Sequence, residues 1–504
     1  MATNDNKVII IGAGIAGLSA AIHAQMAGFE TEIYESHIIP GGMCTVWKRN
    51  GYTIDNCVHW LTCSKENMQL HQQWINTGII GDDVPMVQLK EFYTSELNGK
   101  KLTLWSDLEK TRKELIEFAP EDKDEINLLF KVAKLEQGMQ LPTFKPITAI
   151  GLFNVPKILK TMKPMLKGIS ILGKETISDY KNRFKNPLLQ CLVSDMVPNA
   201  QFVTSFIAAY GTITSGNGDF PKGGSETMIN NMVKRYESLG GKLFCNSPVV
   251  SVNREKNRVK SIVLKNGETI TGNYFIFATD PHVTFNKLLP NEYMPKKLRI
   301  RYENKEGNPI FTAFHVAFSV DETFTPVDGT LVYDLKNPVK CGSKDITRLC
   351  VKTYRHYEGN FAPEGKDIIQ VHLKLLEEDY DYWKNLYDKG DSKVTYKKEK
   401  AEVAAQVLNA LEERFPDFKG KIHIIDTWSP ATYNRFTGAY KGAYMTFVNT
   451  KNSGANYITN KIKGLKNTFI ASNWLMSPGG LPCALAQGYY AFWYMNKEFK
   501  KNHK

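Results

Sequence analysis

The chain has 504 residues, more than one hydrophobic core usually supports, so we expect two closely connected domains. Apolar residues make up 42% and charged residues 23%, proportions that exclude a disordered or fibrous protein. The formal net charge of +12 favours an anionic partner, either a membrane surface or nucleic acid, and no recognition motif for nucleic acid accompanies it.

The N-terminal part of the chain has a β-α-β pattern. Residues 7–11 are an apolar run of β-branched type, followed by GAGIAG, an alanine-rich helical pattern over residues 18–27, and a second strand, ETEIYE. A glycine-rich turn between a strand and a helix is typical of dinucleotide-binding proteins. The helix N-terminus would then face the phosphates of the ligand.

The glycines of this turn have separate expected roles. Gly12 permits the tight turn after the strand, Gly14 lets the backbone approach a pyrophosphate, and Gly17 lets the helix pack closely on the sheet. Ala16 belongs to the same predicted binding wall. Glu35 ends the second strand, where a carboxylate can accept hydrogen bonds from ribose hydroxyls and would repel a 2′-phosphate.

The middle of the chain is mostly helical in period from residue 61 to about residue 211. Prolines at 142, 146, 156, 164 and 187 are expected to mark the ends of short helices. Much of the basic excess lies between residues 131 and 185, in FNVPKILKTMKPMLKGISILGK. This stretch is either an element that lies on a membrane surface or a solvated, basic helical cap over a substrate cavity.

Strand patterns return in residues 242–280, with a hairpin predicted at the Asn-Gly pair 266–267. A second sheet with one helix around residues 398–414 is expected over residues 291–453. The chain ends in a strand, a glycine turn and a helix. The predicted fold is α/β: a discontinuous Rossmann-like nucleotide domain (residues 1–70, 213–290 and 455–504), a helical insertion (71–212) and a mixed α+β substrate domain (291–454).

Several segments, in order along the chain, resemble one group of FAD oxidoreductases. GAGIAG, Glu35, GGMCTVWKRNGYTIDNCVHWL, FPKGGSETMINNMV, SPATYNRFTG and SPGGLPCALAQGYYA are similar to the phytoene desaturase, carotenoid isomerase and retinol saturase group. The resemblance covers residues 7–61, 219–290 and 427–495. It implies that the nucleotide domain is an FAD-binding domain.

The resemblance also implies which residues hold FAD. Gly41, Gly42 and Met43 would contact the flavin side, Glu35 the ribose, and Val249 the adenine. Gly480 and Leu481 would bring backbone amides to the flavin. Relatives often have an acid on the ribityl chain where this sequence has Asn473, whose amide can still form hydrogen bonds.

The implied activity is saturation, desaturation or isomerisation of carbon-carbon double bonds in a hydrophobic polyene or isoprenoid. His59 is a candidate for orienting the substrate or moving a proton, and Tyr433 for donating a proton or lining the cavity. The electron partner stays open: a quinone, oxygen, a diffusible reductant, or none for an isomerisation. Two alternatives share the fold, a flavin-dependent amine oxidase and a non-catalytic, prenyl-binding protein like the Rab GDP-dissociation inhibitors.

The eight cysteines have no CxxC pair and no matching histidine set, so neither a metal site nor a disulfide framework is predicted. Cys44 and Cys57 are interpreted as small core residues. No apolar run is long enough to span a bilayer, and the polar start MATNDNK leaves no room for a signal peptide. We therefore expect a cytoplasmic protein, either free or associated with a membrane surface.

Overall fold

The structure is a computed structural model and describes residues 6–141, 145–151, 154–453 and 457–503. Met1, Pro142 and the expected domain boundary between residues 454 and 455 lie outside the described residues. The described strands are β1 (Lys7–Ile11), β2 (Glu30–Tyr34), β3 (Val46–Arg49), β4 (Tyr52–Asp55), β5 (Met86–Val87), β6 (Glu91–Leu97), β7 (Lys100–Trp105), β8 (Phe220–Pro221), β9 (Lys242–Phe244), β10 (Val249–Glu255), β11 (Arg258–Leu264), β12 (Thr269–Thr271), β13 (Tyr274–Phe277), β14 (Phe311–Val320), β15 (Thr330–Cys341), β16 (Lys344–Thr353), β17 (Asp367–Leu376), β18 (Ile422–Trp428) and β19 (Thr468–Ile470).

Helices occur in all parts of the chain. They are α1 (Ile15–Met26), α2 (His71–Asn76), α3 (Leu108–Phe118), α4 (Lys123–Glu136), α5 (Val155–Leu172), α6 (Ile177–Lys181), α7 (Pro187–Ser194), α8 (Val203–Thr214), α9 (Gly224–Ser238), α10 (Pro281–Val283), α11 (Lys296–Glu303), α12 (Glu377–Asp388), α13 (Val394–Arg414), α14 (Pro430–Thr437) and α15 (Leu481–Asn502).

A five-stranded parallel sheet carries the predicted nucleotide site. Its order is β19-β13-β1-β2-β9, so its strands come from three separated parts of the chain. The apolar strand β1 lies at its centre, where both faces are covered and a continuous run of buried isoleucines is favoured. The α/β class with a Rossmann-like domain is confirmed. The predicted hairpin at residues 266–267 is confirmed too, because β11 pairs antiparallel with β12.

A second sheet of seven strands has the order β18-β14-β17-β16-β15-β6-β7. Its last two strands, β6 and β7, form an antiparallel hairpin. This hairpin comes from the insertion, which also holds helices α2 to α8. Asn98 and Gly99 connect the two strands, with φ of 51° and 75°. Asn-Gly is the strongest short hairpin signal because both residues tolerate positive φ, and the sequence interpretation overlooked it here.

One proline does not end a helix as expected. Pro164 lies inside α5, although a proline in a helix interior costs about 3 kcal/mol. The helix continues because Gly168 and Leu172, beyond the proline, are buried where α5 contacts α4 and α8. Tertiary packing therefore outweighs the local preference.

The last helix, α15, packs directly on α1, so the C-terminal part of the chain returns to the first strand-helix unit. A Cβ atom on Gly488 would lie 2.3 Å from the Ala16 carbonyl oxygen and 2.7 Å from Ser19 Cβ. Ser19 Oγ also donates to the Leu485 carbonyl at 2.9 Å. The absence of a side chain at Gly488 therefore sets the distance between the two helices.

We expect Gly488→Ala to lower the free energy of unfolding by about 1–3 kcal/mol through overpacking, measured by denaturant unfolding of the FAD-loaded protein. The direction of this change distinguishes the two effects, because alanine in a helix interior otherwise stabilises a helix by about 1 kcal/mol relative to glycine. Gly390→Ala is the control: no atom lies within 4 Å of its Cβ position, so the change should stay within about 0.5 kcal/mol. A more stable Gly488→Ala variant would contradict the close packing.

Candidate active site

A cavity of about 1700 Å³ lies where the two large sheets and the insertion meet. Turns at the ends of the parallel strands, side chains of the seven-stranded sheet and residues of α5 and α8 all line it. Ligand sites usually measure about 300–1,000 Å³. The cavity therefore has room for a dinucleotide together with a second molecule.

Glycine turns form the wall of the cavity at the parallel sheet. Gly12 has a φ of 104°, and its N–H donates to the Tyr34 carbonyl at 2.8 Å. Gly14 begins α1 without a side-chain cap and bridges to Gly41, so the first N–H groups of α1 remain free of side-chain partners. Gly17 packs behind this wall, because a Cβ atom there would lie 2.0 Å from the Gly12 oxygen.

The next turn continues the same wall. The Gly41 N–H donates to the Ala13 carbonyl at 2.9 Å, and Gly41 and Gly42 have φ of 119° and 61°. Gly42, Met43 and Ala16 line the cavity. The glycine pair therefore brings backbone close to the start of α1.

Glu35 lies directly after β2 with its carboxylate at the cavity. One oxygen, Oε2, accepts from the Ala13 N–H at 2.7 Å. The other, Oε1, accepts from the His37 N–H at 2.8 Å and from Ser36 Oγ at 3.1 Å. A carboxylate has about four lone-pair sites, so Oε2 can accept one more hydrogen bond from a ligand hydroxyl.

The remaining predicted cofactor residues also line the cavity. Val249 begins β10 beside Glu35, because the Ser247 N–H donates to the Glu35 carbonyl at 2.7 Å. Asn473, Gly480 and Leu481 lie at its C-terminal side. Gly480 precedes α15 without a side-chain cap, so a second helix N-terminus is open to the cavity.

His59 lines the cavity after β4. Its Nδ1 lies 2.7 Å from the Cys57 carbonyl, and since a carbonyl only accepts, Nδ1 carries the hydrogen and Nε2 keeps a lone pair. The His59 side chain is exposed to the cavity, but desolvation by the protein around the cavity, followed by the charge of Lys352, holds the pKa of His59 well below its ordinary value. The imidazole is therefore neutral at physiological pH and offers an acceptor.

Tyr433 is in the cavity wall but does not fit the expected proton donor. Its hydroxyl donates to Asn56 Oδ1 at 2.8 Å and accepts from Trp428 Nε1 at 3.0 Å. Burial raises its pKa, so the hydroxyl stays protonated and its hydrogen is committed to Asn56. The geometry therefore supports a lining and positioning role for Tyr433.

The seven-stranded sheet forms the floor of the cavity in two cross-strand rows, which we call the histidine row and the lysine row. The histidine row is Val332, Cys350, His372, His315 and Trp428. The lysine row, two residues along each strand, is Thr330, Lys352, Gln370, Ala317 and Asp426. Nine of these ten, all but Ala317, line the cavity, because residues at a spacing of two share one face of a sheet.

Rings stack along the histidine row. His315 lies 4.6 Å from His372 and 4.9 Å from Trp428 between ring centroids, with interplanar angles of 11° and 3°. Burial lowers the pKa of His372 to about 4 and that of His315 well below its ordinary value. These rings are therefore uncharged at physiological pH.

Lys352 is a charged group of the floor that acts on His59. Burial lowers its pKa to about 8, and the negative charge of Asp55 partly opposes that shift. Its ammonium donates to Tyr357 Oη at 2.5 Å. Lys352 is therefore still mostly protonated at neutral pH, and it is 8% exposed.

Family comparison agrees with this geometry. The family described as flavin containing amine oxidoreductase matches residues 191–491, which is more than half of the chain. The chain belongs to the flavin-containing amine oxidoreductase family. The NAD(P)-binding Rossmann-like domain family matches residues 10–74. The protein is therefore an FAD-dependent oxidoreductase, as the sequence predicted.

Curated relatives and solved structures extend the comparison. A Pseudescherichia vulneris phytoene desaturase (lycopene-forming) is 26% identical over 61% of this chain and 63% of its own length. A Daucus carota chloroplastic prolycopene isomerase is 24% identical over 88% of this chain and 72% of its own length. A Danio rerio all-trans-retinol 13,14-reductase is 23% identical over 87% of this chain and 77% of its own length. A Methanosarcina mazei oxidoreductase is 16% identical, covering 96% of this chain and 98% of its own, with a TM-score of 0.60. A putrescine oxidase variant is 13% identical, covering 98% and 99%, also with a TM-score of 0.60.

The residues of this flavin-containing amine oxidoreductase fit FAD. Two uncapped helix N-termini, those of α1 and α15, face one cavity, which suits pyrophosphate and flavin oxygens. The turns at Gly12 and Gly41 would clash if they carried side chains, since a Cβ atom would lie 2.8 Å and 2.5 Å from backbone oxygens. Glu35 is placed to hold ribose hydroxyls.

Sequence reasoning missed the floor. His315 and His372 lie in strands whose other residues are mostly apolar, and isolated polar residues at such positions were the available signal. Lys352 lies in β16, which contains several other polar residues and therefore gave no such signal. It also missed Asp55, the last residue of β4, and Asn56, which follows the short hairpin β3-β4. The missed signal there was a pair of polar residues at a strand end that faces the cavity.

We expect Glu35→Gln to weaken FAD binding by about 10- to 100-fold, since hydrogen bonds to a charged group contribute about 1.5–3 kcal/mol. Titration of apoprotein with FAD, followed by quenching of flavin fluorescence, measures this. Glu30→Gln is the matched control, because Glu30 begins the same strand and is exposed. Equal affinity of the two variants would contradict the role of Glu35.

Proposed function

We propose that the protein saturates, desaturates or isomerises carbon-carbon double bonds of a lipophilic polyene or isoprenoid, using FAD as its redox centre. The observation that carries this proposal is the continuity of one cavity from the FAD wall to the apolar helices of the insertion. A long hydrophobic molecule placed there would reach the flavin end with one of its bonds. Bound FAD supplies the two-electron chemistry at carbon.

Apolar and sulfur-containing side chains line the far part of the cavity. They include Phe92, Met139, Leu141, Met162, Met165, Ile169, Phe202 and Phe206. Unbranched methionines fill irregular gaps and adapt to flexible partners, which suits a long, bent hydrocarbon. The names of the bacterial, carrot and Danio rerio relatives support a polyene as the substrate class.

His59 is the group best placed to handle a proton. Its neutral ring presents Nε2 to the cavity, where it can accept a hydrogen bond or a proton from substrate. The Nδ1–H bond to the Cys57 carbonyl keeps the ring in this tautomer. In this proposal the two rows of the floor place the substrate against FAD, and His59 moves the proton.

Amine oxidation is the less favoured alternative. A protonated amine near His59 would meet the ammonium of Lys352, whose like charge repels it. Incubation with amines and oxygen tests this directly, and peroxide release there would contradict the polyene proposal. A colourless purified protein that carries a lipid would instead favour the prenyl-binding alternative.

The direct test reduces the bound flavin anaerobically and adds carotenoids, retinoids and unsaturated fatty acids one at a time. We expect reoxidation of the reduced flavin by a polyene for saturation, reduction of the oxidised flavin by a more saturated isoprenoid for desaturation, and a change in double-bond geometry at constant flavin redox state for isomerisation. Failure of every polyene, with turnover of amines, would overturn the proposal.

For that reaction we expect His59→Ala to lower kcat by about 100-fold, the usual scale of general acid-base catalysis. His59→Gln should retain more activity, and the exposed His423→Ala should match the wild type. Because the pKa of His59 is held well below its ordinary value, the ring stays neutral on acidification. Its contribution should therefore persist from about pH 8 to about pH 6, where an ordinary histidine would become charged.

We also propose that α5 rests on an anionic lipid surface. In the part of the chain that the structure describes, no helix combines the length and apolar character needed to cross a bilayer. However, α5 exposes Leu159 at 54% and Leu166 at 42%, contains no acidic residue, and carries exposed lysines at 157, 160, 163 and 167. Basic and apolar residues together suit lipid headgroups and the chains beneath them.

The same helix lines the cavity through Met162, Met165 and Ile169. A hydrophobic substrate dissolved in a membrane would therefore reach the cavity beside α5. This arrangement supports uptake from lipid without passage through water.

Replacing the lysines at 157, 160, 163 and 167 with glutamine should reduce flotation with anionic vesicles by about tenfold or more, given about 1 kcal/mol for each basic residue near an anionic surface. The control replaces Lys296 and Lys297 of α11, a helix that also exposes an isoleucine, Ile300 at 48%. Vesicles of neutral lipid should float neither protein. Unchanged flotation of the α5 variant would contradict this surface.

A further inference from the structure

We propose that Cys44 and Cys57 form a redox-active dithiol-disulfide pair that exchanges two electrons with the bound FAD. This inference rests on the FAD cofactor and not on the polyene substrate. It assigns an electron route to a protein whose sequence leaves the electron partner open.

The hairpin β3-β4 brings the two cysteines to its open end. Its register pairs Arg49 with Tyr52 and ends at Val46 with Asp55, and Cys44 and Cys57 each lie two residues beyond that last pair. Opposite residues of an antiparallel pair have Cα atoms about 4.5–5.5 Å apart. A disulfide needs about 4.4–6.8 Å, so a continuation of this register past the last pair would suit one.

The side chains are electrostatic neighbours as well. Burial, followed by the neighbouring Cys57 thiol, raises the pKa of the Cys44 thiol well above its ordinary value. Both cysteines are free thiols, Cys44 buried and Cys57 half-buried. Both line the cavity directly beside the Gly41-Gly42-Met43 turn, the segment that the family resemblance assigns to the flavin side.

Cys57 is the more reactive partner because it is the more accessible one. Cys57 is half-buried whereas Cys44 is buried, so a thiol from solution reaches Cys57 first. Burial raises the pKa of the Cys44 thiol, so Cys44 suits the role of the second, resolving thiol. The pair therefore has the asymmetry of a reactive and a protected cysteine.

Asp55 holds the reactive partner in place. Its Oδ1 accepts from the Cys57 N–H at 2.9 Å and from Ser225 Oγ at 2.7 Å, and its Oδ2 accepts from the Ser225 N–H at 2.7 Å. Asp55 is 1% exposed. A buried carboxylate with three hydrogen bonds gives the end of the hairpin a defined position next to α9.

Oxidation of the two thiols is balanced by reduction of FAD. One S–S bond forms, two S–H bonds break, and two electrons and two protons pass to oxidised FAD. A dithiol reductant from solution then reduces the Cys44–Cys57 disulfide by thiol-disulfide exchange, and the reductant is itself oxidised to a disulfide. In this direction the pair feeds reducing equivalents to the flavin.

Trypsin provides a test that needs no variant. Lys48 and Arg49 lie between the two cysteines, so digestion separates them into different peptides. After the holoprotein is oxidised with diamide and its remaining thiols are blocked, we expect mass spectrometry to find the two peptides joined, with fragmentation placing the bond on Cys57 and the blocking group on Cys63 of the same peptide. Adding dithiothreitol before blocking should separate them. Finding only separate, blocked peptides after oxidation would overturn the proposal.

A second measurement follows the flavin. Under anaerobic conditions, dithiothreitol should bleach the bound flavin of the wild type about tenfold or more faster than that of Cys57→Ser or Cys44→Ser, because exchange requires both thiols. Cys483→Ser is the matched control: it is buried and lines the same cavity. Equal bleaching rates in all four proteins, with flavin retained, would also overturn the proposal. If peptides join but no polyene or isoprenoid is saturated, desaturated or isomerised, the thiol pair stands and the polyene function fails.

Discussion

The site depends on close approach of backbone to backbone at a few glycines. Gly17 and Gly488 let α1 pack against its own strand and against α15, and Gly14 meets the turn at Gly41. These contacts bring the first turn of the chain and its last helix to one wall. Since those segments are far apart in sequence, the FAD site exists only when the parallel sheet has assembled from all three of its parts. Cofactor binding and folding of this domain are therefore coupled.

Much of this wall could be predicted from the sequence because its signals are local. A turn that needs glycine at Gly12, a helix that starts without a cap, and a carboxylate at the end of the next strand all lie within a short stretch. Even the distant Asn473 and Gly480 could be assigned, because the resemblance covers them. The fold class followed from the same alternation of strands and helices.

The floor and the thiol pair could not be predicted, because they depend on strand register. His315 and His372 are 57 residues apart in sequence yet stack because β14 and β17 pair in one register. The interpretation of Cys44 and Cys57 as small core residues stays a prediction, and their positions at the open end of one hairpin likewise depend on register. The role expected of Tyr433 changed for a related reason, since its partner Asn56 comes from the opposite end of the chain.

The two rows on the sheet floor have a consequence for how this enzyme could change over evolution. Each row takes one residue from each of several strands, and the backbone hydrogen bonds that align the row do not involve its side chains. Substitutions can therefore accumulate along a row while the ladder beneath it is preserved. Relatives of the same architecture could acquire different substrates through substitutions at a few of these positions, while the backbone of the sheet stays unchanged.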